Sequence, residues 1–118
     1  MPETTDILAD IPCRVLGRVQ HAFRQLHAWN DAIKQARRME VRAGAPGRYE
    51  YDLRYGSDGA SLWQQIAKAE ATLALFETVA ATNGVDPEAV YAALGGKPTL
   101  LAEGPQVHKW HPTQRPAI

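Results

Sequence analysis

The chain lacks a second cysteine, a net charge and any long apolar run, and between Gly17 and Gly44 it has neither glycine nor proline. Each absence excludes something. A lone Cys13 excludes an internal disulfide framework and suits a reducing compartment. Thirteen basic and thirteen acidic side chains cancel, so no global field draws the chain onto nucleic acid or an anionic membrane. No apolar stretch approaches the roughly 20 residues that cross a bilayer, and no membrane association is expected. The N-terminal Met-Pro-Glu-Thr-Thr-Asp has neither a basic region nor an apolar one of the kind that directs secretion. The expectation is a cytoplasmic protein. With 118 residues, 45 % apolar and 22 % charged, the composition is that of one globular domain with a modest core.

What is present is helical periodicity. Val15, Val19, Ala22, Leu26, Trp29, Ile33 and Ala36 recur at spacings of four and three, with Leu16 and Phe23 widening the stripe. Asp10 can cap such a helix and Pro12 fits its first turn. The spacing predicts a helix over about 12–42, roughly 45 Å long at 1.5 Å per residue. Leu62, Ile66, Ala69, Leu73, Phe76 and Ala80 repeat the pattern and predict a second helix over about 60–82, ended by Asn83-Gly84. Two such helices joined by a connector most simply fold as an antiparallel hairpin. Asp86 and Pro87 open a short third helix over 86–94, with Val85 and Val90 placed to pack together at its start and Gly95-Gly96 at its end. The fold class is therefore mainly α. Residues 1–96 form the helical domain and 97–118 an extended, Pro-containing C-terminal tail, partly disordered in its expected form, the alternative being that Leu100, Leu101, Val107 and Trp110 dock it on the body.

The connector carries a different period. From Arg48 to Tyr55, Tyr49, Tyr51, Leu53 and Tyr55 alternate with four charged residues, which predicts a short strand at 48–55. The alternative is an ordered connector that lays its aromatic side chains over the hairpin, since a lone strand has nothing to pair with.

The neutral total hides an asymmetry. Residues 12–48 hold eight basic side chains against Asp31 and Glu40. Stepping 100° per residue places Arg24, Arg38 and Arg42 opposite the apolar seam, with His27 and Lys34 beside them. A solvated face is the ordinary meaning of such a stripe; a landing surface for an acidic partner is the functional one. Glu70 and Glu77 on the second helix are expected to face arginines of the first, such as Arg18 or Arg37, and so to use up part of the charge.

Few residues offer chemistry. His108 and His111 lie three apart without further ligands nearby, and no metal or other cofactor is expected. Cys13 stands near a helix start with no base supplied, Ser57, Asp58 and Ser61 fit caps, and the long seams carry no inward-facing catalytic type. The expectation is that the chain is not an enzyme. Segment 76–94 resembles a DNA-binding helix-turn-helix of the phage-repressor type, with Ala80 at the crossing, Gly84 in the turn, and Val85 and Val90 as its buried positions. That resemblance implies DNA contact through 86–94, where Asp86 and Glu88 would face phosphates and no Arg, Lys, Asn or Gln is placed to read bases.

The reading is a non-enzymatic interaction protein, of an adaptor or inhibitor kind. Its binding residues are Arg24, Arg38, Arg42, Arg48, Tyr49, Tyr51 and Tyr55, the residue types that dominate interface hot spots, and its partner is an acidic protein. Homodimerisation would cover the flanks of the hairpin, Trp29 and Trp63 included. The alternative is a nucleic-acid-binding regulator acting through the basic helix or the corner at 76–94.

Overall fold

The computed structural model describes residues 4–104 and is mainly helical, with five helices and no strand among those residues. They are α1 (Thr4–Ala9), α2 (Cys13–Ala43), α3 (Arg48–Tyr55), α4 (Ser57–Thr82) and α5 (Pro87–Ala93). None is long and apolar enough to cross a membrane. The two long helices α2 and α4 pack on each other; α3 packs on both, and α5 contacts α1 and α4.

The long helices follow their seams. Val19, Leu26, Trp29 and Ile33 of α2 are fully buried, as are Ile66 and Leu73 of α4 to within 1 %. Contacts run in opposite chain order. Val15 and Val19 share a groove with Leu75 and Val79, Gln25 reaches Gln65, and the Trp29 and Trp63 rings lie 5.0 Å apart. The predicted start of α2 shifts slightly, because Pro12 itself occupies the cap position and supplies no side-chain acceptor. At the far end, Gly44 adopts a left-handed φ of 64° and closes the helix onto the carbonyls of Glu40 and Val41. The corner after α4 follows expectation: Gly84 has φ 72°, the Val85 N–H bonds the Ala80 carbonyl at 2.8 Å, and Asp86 accepts the Glu88 N–H.

The strand expected at 48–55 is instead the helix α3. A period of two over eight residues also places Tyr49 with Leu53, and Tyr51 with Tyr55, four apart on two helical faces. Tyr49 and Leu53 are half-buried, whereas Tyr51 and Tyr55 are exposed, their rings tilted against each other with centres 4.8 Å apart. A strand here would leave its ladder groups without a partner, while a helix bonds its own. The turn into α4 is tight. A Cβ on Gly59 would collide with the Leu53 carbonyl, so only glycine admits this approach of backbone to backbone.

Of the predicted tail, residues 99–104 lie against the helices. Asn30, itself buried, donates to the Thr99 carbonyl at 2.8 Å and accepts the Leu101 N–H at 2.9 Å. The Trp29 indole N–H bonds the Ala102 carbonyl at 2.7 Å, and Arg54 donates to the Glu103 carbonyl at 2.6 Å. Gly104 rests on the Trp63 indole so closely that any Cβ would overlap the ring. Leu100 and Ala102 pack against the core. Val107, His108, Trp110 and His111 lie outside the described residues.

Candidate interaction surface

The surface forms where α2 ends and α3 begins. Gly47, at the start of α3, has no side chain with which to cap it. The cap comes from α2: Glu40, buried at the next seam position after Ala36, accepts the Glu50 N–H at 2.6 Å. A carboxylate at a helix N-terminus meets both an orphan donor and the positive end of the helix dipole. Glu50 in turn accepts from Arg37, Nε at 2.7 Å and Nη2 at 3.4 Å. That hydrogen bond, against the opposing effect of burial, holds the Glu50 carboxyl below its ordinary value. It also raises Arg37.

These bonds leave the predicted binding residues outward. Arg24, Arg38, Arg42 and Arg48 are exposed, and Tyr49 is half-buried. Tyr51 is 64 % and Tyr55 47 % exposed, with the Arg54 guanidinium 5.4 Å from the Tyr55 ring centre. Arg38 donates to Gln35 at 2.7 Å. Arg38 and Arg42 occupy the last turns of α2, close in sequence to α3. Arg24 stands fourteen residues before Arg38, about 21 Å along the helix, and is not brought to the tyrosines.

The expected neutralisation by α4 does not occur. Among the described residues the ion pairs are Arg37 with Glu50 and Lys97 with Glu70, the latter at 3.5 Å. Glu77 accepts instead from the Tyr91 hydroxyl at 2.8 Å, and the same oxygen lies 3.3 Å from the Leu73 carbonyl. Burial first, then Glu77, pushes the Tyr91 phenol well above its ordinary value. The tryptophans that dimerisation was expected to cover are covered from within: Trp29 is fully buried, with residues 99–104 across it and Trp63.

A second feature went unread in the sequence. Between the first half of α2 and the second half of α4 lies an apolar groove of about 870 Å³. Val15, Val19, Leu75, Phe76 and Val79 line it, with Ile11 and Val85 at one end. Leu75 and Val79 stand off the four-three seam and are more than half exposed. The available signal was the run 71–82, which contains Glu77 as its one charged residue.

Other candidates stay apart. Cys13 is exposed at the first residue of α2. His21 and His27 are also exposed. No group of three or more His, Cys, Asp or Glu suited to a metal occurs among the described residues. In the corner at 76–94, Ala80 and Val90 are buried and Asp86 and Glu88 exposed. Compared with known proteins, the chain matches no family model, no curated sequence and no solved structure.

Proposed function

We propose that the chain is a non-enzymatic interaction protein that binds an acidic protein partner through the end where α2 meets α3. The scaffold in this reading is an antiparallel hairpin of α2 and α4, supported by the opposite chain order of their contacts. The observation that carries the proposal is the exposed pair Tyr51–Tyr55, its rings tilted against each other at 4.8 Å, on the helix that Arg48 opens and that follows Arg38 and Arg42 in the chain. Among the described residues none of these three arginines forms an ion pair. Rigid aromatic faces and planar guanidinium groups bury large area at low entropic cost and recognise carboxylates in paired geometry. The Glu40 cap and the Arg37–Glu50 pair pre-orient α3 for that role.

The test is capture of partners from the native host with the full chain as bait, compared with Tyr51→Ala/Tyr55→Ala and with Arg38→Glu/Arg42→Glu. A partner retained by the parent chain and lost from both variants supports the reading. One retained equally by all three removes it.

A nucleic-acid regulator is the second reading, and the exposed row Arg24, Arg38 and Arg42 favours it. It places binding on α2. Helix α5 has seven residues, its Val90 and Tyr91 are buried, and its exposed start is acidic, which opposes phosphate. Binding of a short DNA duplex at low salt, falling steeply as salt rises, is its signature. No binding at low salt ends it.

A further inference from the structure

The groove between α2 and α4 is apolar along its middle, with Asp10 and Arg18 as its charged lining residues, and the helix face beside it is uncharged. Along 71–82 the exposed side chains are Ala71, Ala74, Leu75, Thr78, Val79, Ala81 and Thr82. A helix apolar on its outer as well as its inner face is ordinarily covered on both. The threonine hydroxyls on this stretch already donate within the helix, Thr78 to the Ala74 carbonyl at 3.1 Å and Thr82 to the Thr78 carbonyl at 2.9 Å, and Asn83 donates to the Val79 carbonyl at 2.8 Å. Covering the face would strand neither hydroxyl proton, which lowers the cost of burying it.

We infer that this surface docks a second copy of the chain, α4 against α4 about a two-fold axis near Leu75 and Val79. Two observations select a copy rather than a different partner. Leu75 and Val79, one turn apart, form a ridge directly beside the groove that they help to line. Ridge and groove side by side on one surface are self-complementary, because a two-fold rotation lays each ridge into the other groove. The ends of the groove also carry opposite charge. Asp10 stands at the end near Val85, and Arg18 at the end near Thr72, where Arg14 and His21 adjoin it around a smaller hollow. In a two-fold pairing with antiparallel α4 helices, the acidic end of one copy meets the basic end of the other. A foreign helix would need the groove alone and would explain neither the ridge nor the charge order.

The surface is separate from the Arg and Tyr end, so either proposal can fail without the other. The test is sedimentation equilibrium of the full chain. A dimer is expected, with Leu75→Glu and Val79→Glu each weakening it by about thirtyfold or more. Both side chains are more than half exposed, so the helical circular dichroism and melting midpoint of the variants should match the parent and show that folding is intact. Arg18→Asp should weaken the dimer, and Asp10→Arg added to it should restore affinity by returning one charge of each sign to each contact. A parent chain that stays monomeric at high concentration overturns the inference. So does a dimer that Leu75→Glu and Val79→Glu leave unchanged, or a charge-exchanged double variant no tighter than Arg18→Asp.

Discussion

The two ends of the α2–α4 pair hold their neighbours by different means. At the end where α2 meets α3, directed polar bonds do the fastening: Glu40 caps α3, Arg37 grips Glu50, and Asn30 and Trp29 hold the backbone of residues 99–102. At the end where α4 meets α5, rings do it. Tyr91 packs against Phe23 and Phe76 at 5.4 Å and 5.8 Å between ring centres, and its hydroxyl donates to Glu77. Directed bonds fix a geometry and are lost one by one. Ring packing is less directional and rests on area removed from water. The polar end can therefore present rigid side chains to solvent, while the other end is left with uncovered apolar surface.

Substitutions can break or sharpen that contrast. Trp29→Ala removes the largest fully buried side chain, which also carries the Ala102 bond. It should cost about 3–5 kcal/mol in chemical denaturation. Asn30→Ala strands the Thr99 carbonyl and the Leu101 N–H. It should cost about 2–3 kcal/mol and speed hydrogen exchange in 99–104 while sparing α5. Equal loosening of α5 would erase the distinction between the ends. Glu40→Ala removes the α3 cap and should cost about 1–2 kcal/mol, seen first as faster exchange at Tyr49 to Asp52.

The remaining two tests are finer, and the first has an acidic and an alkaline arm. Because the folded state holds the Glu50 carboxyl below its ordinary value, its contribution is complete above the unfolded-chain pKa. It is lost as pH falls through the folded one, so α3 should loosen in acid and Glu50→Gln should be less acid-sensitive. Tyr91 runs the other way. Its raised pKa makes the contribution complete below the ordinary phenol value and lost as pH rises beyond it. Tyr91→Phe should cost about 1 kcal/mol near neutrality and flatten the alkaline decline, and in the parent chain Tyr91 should be the last tyrosine to ionise by ultraviolet absorbance. Arg24→Ala, on the open face of α2, should change stability by less than about 0.5 kcal/mol. A larger loss would mean that the arginine stripe serves the fold.

The two long helices were legible because each repeats one apolar spacing over many turns, and so were the Gly84 corner and the Asp86 cap. Helix α3 was misread for a definite reason: over eight residues, alternation and a pair of four-residue spacings are the same pattern. What favours the helix lies outside the pattern: the lack of a strand to pair with, and the Glu40 carboxylate ten positions earlier that caps it. The covering of Trp29 was likewise hidden, because Asn30 and the indole bond backbone atoms, which leave no trace in side-chain identity. The six-residue α1 carries too few turns to show a period. The arginines could be placed on a face from spacing alone, but not their partners, since Glu50, and not Glu70 or Glu77, takes Arg37.

The bond between Trp29 and Ala102 spans 73 residues, and its partners are made at different times. At about 5–20 residues per second, synthesis separates them by roughly 4–15 s. For the part of that interval after Ala43 is made, the sequence of α2 is complete while its one indole has no acceptor from the segment that will cover it. The helix is thus an early product whose most buried donor is satisfied late, and the nascent chain is most in need of protection around Trp29 until Gly104 has followed it out.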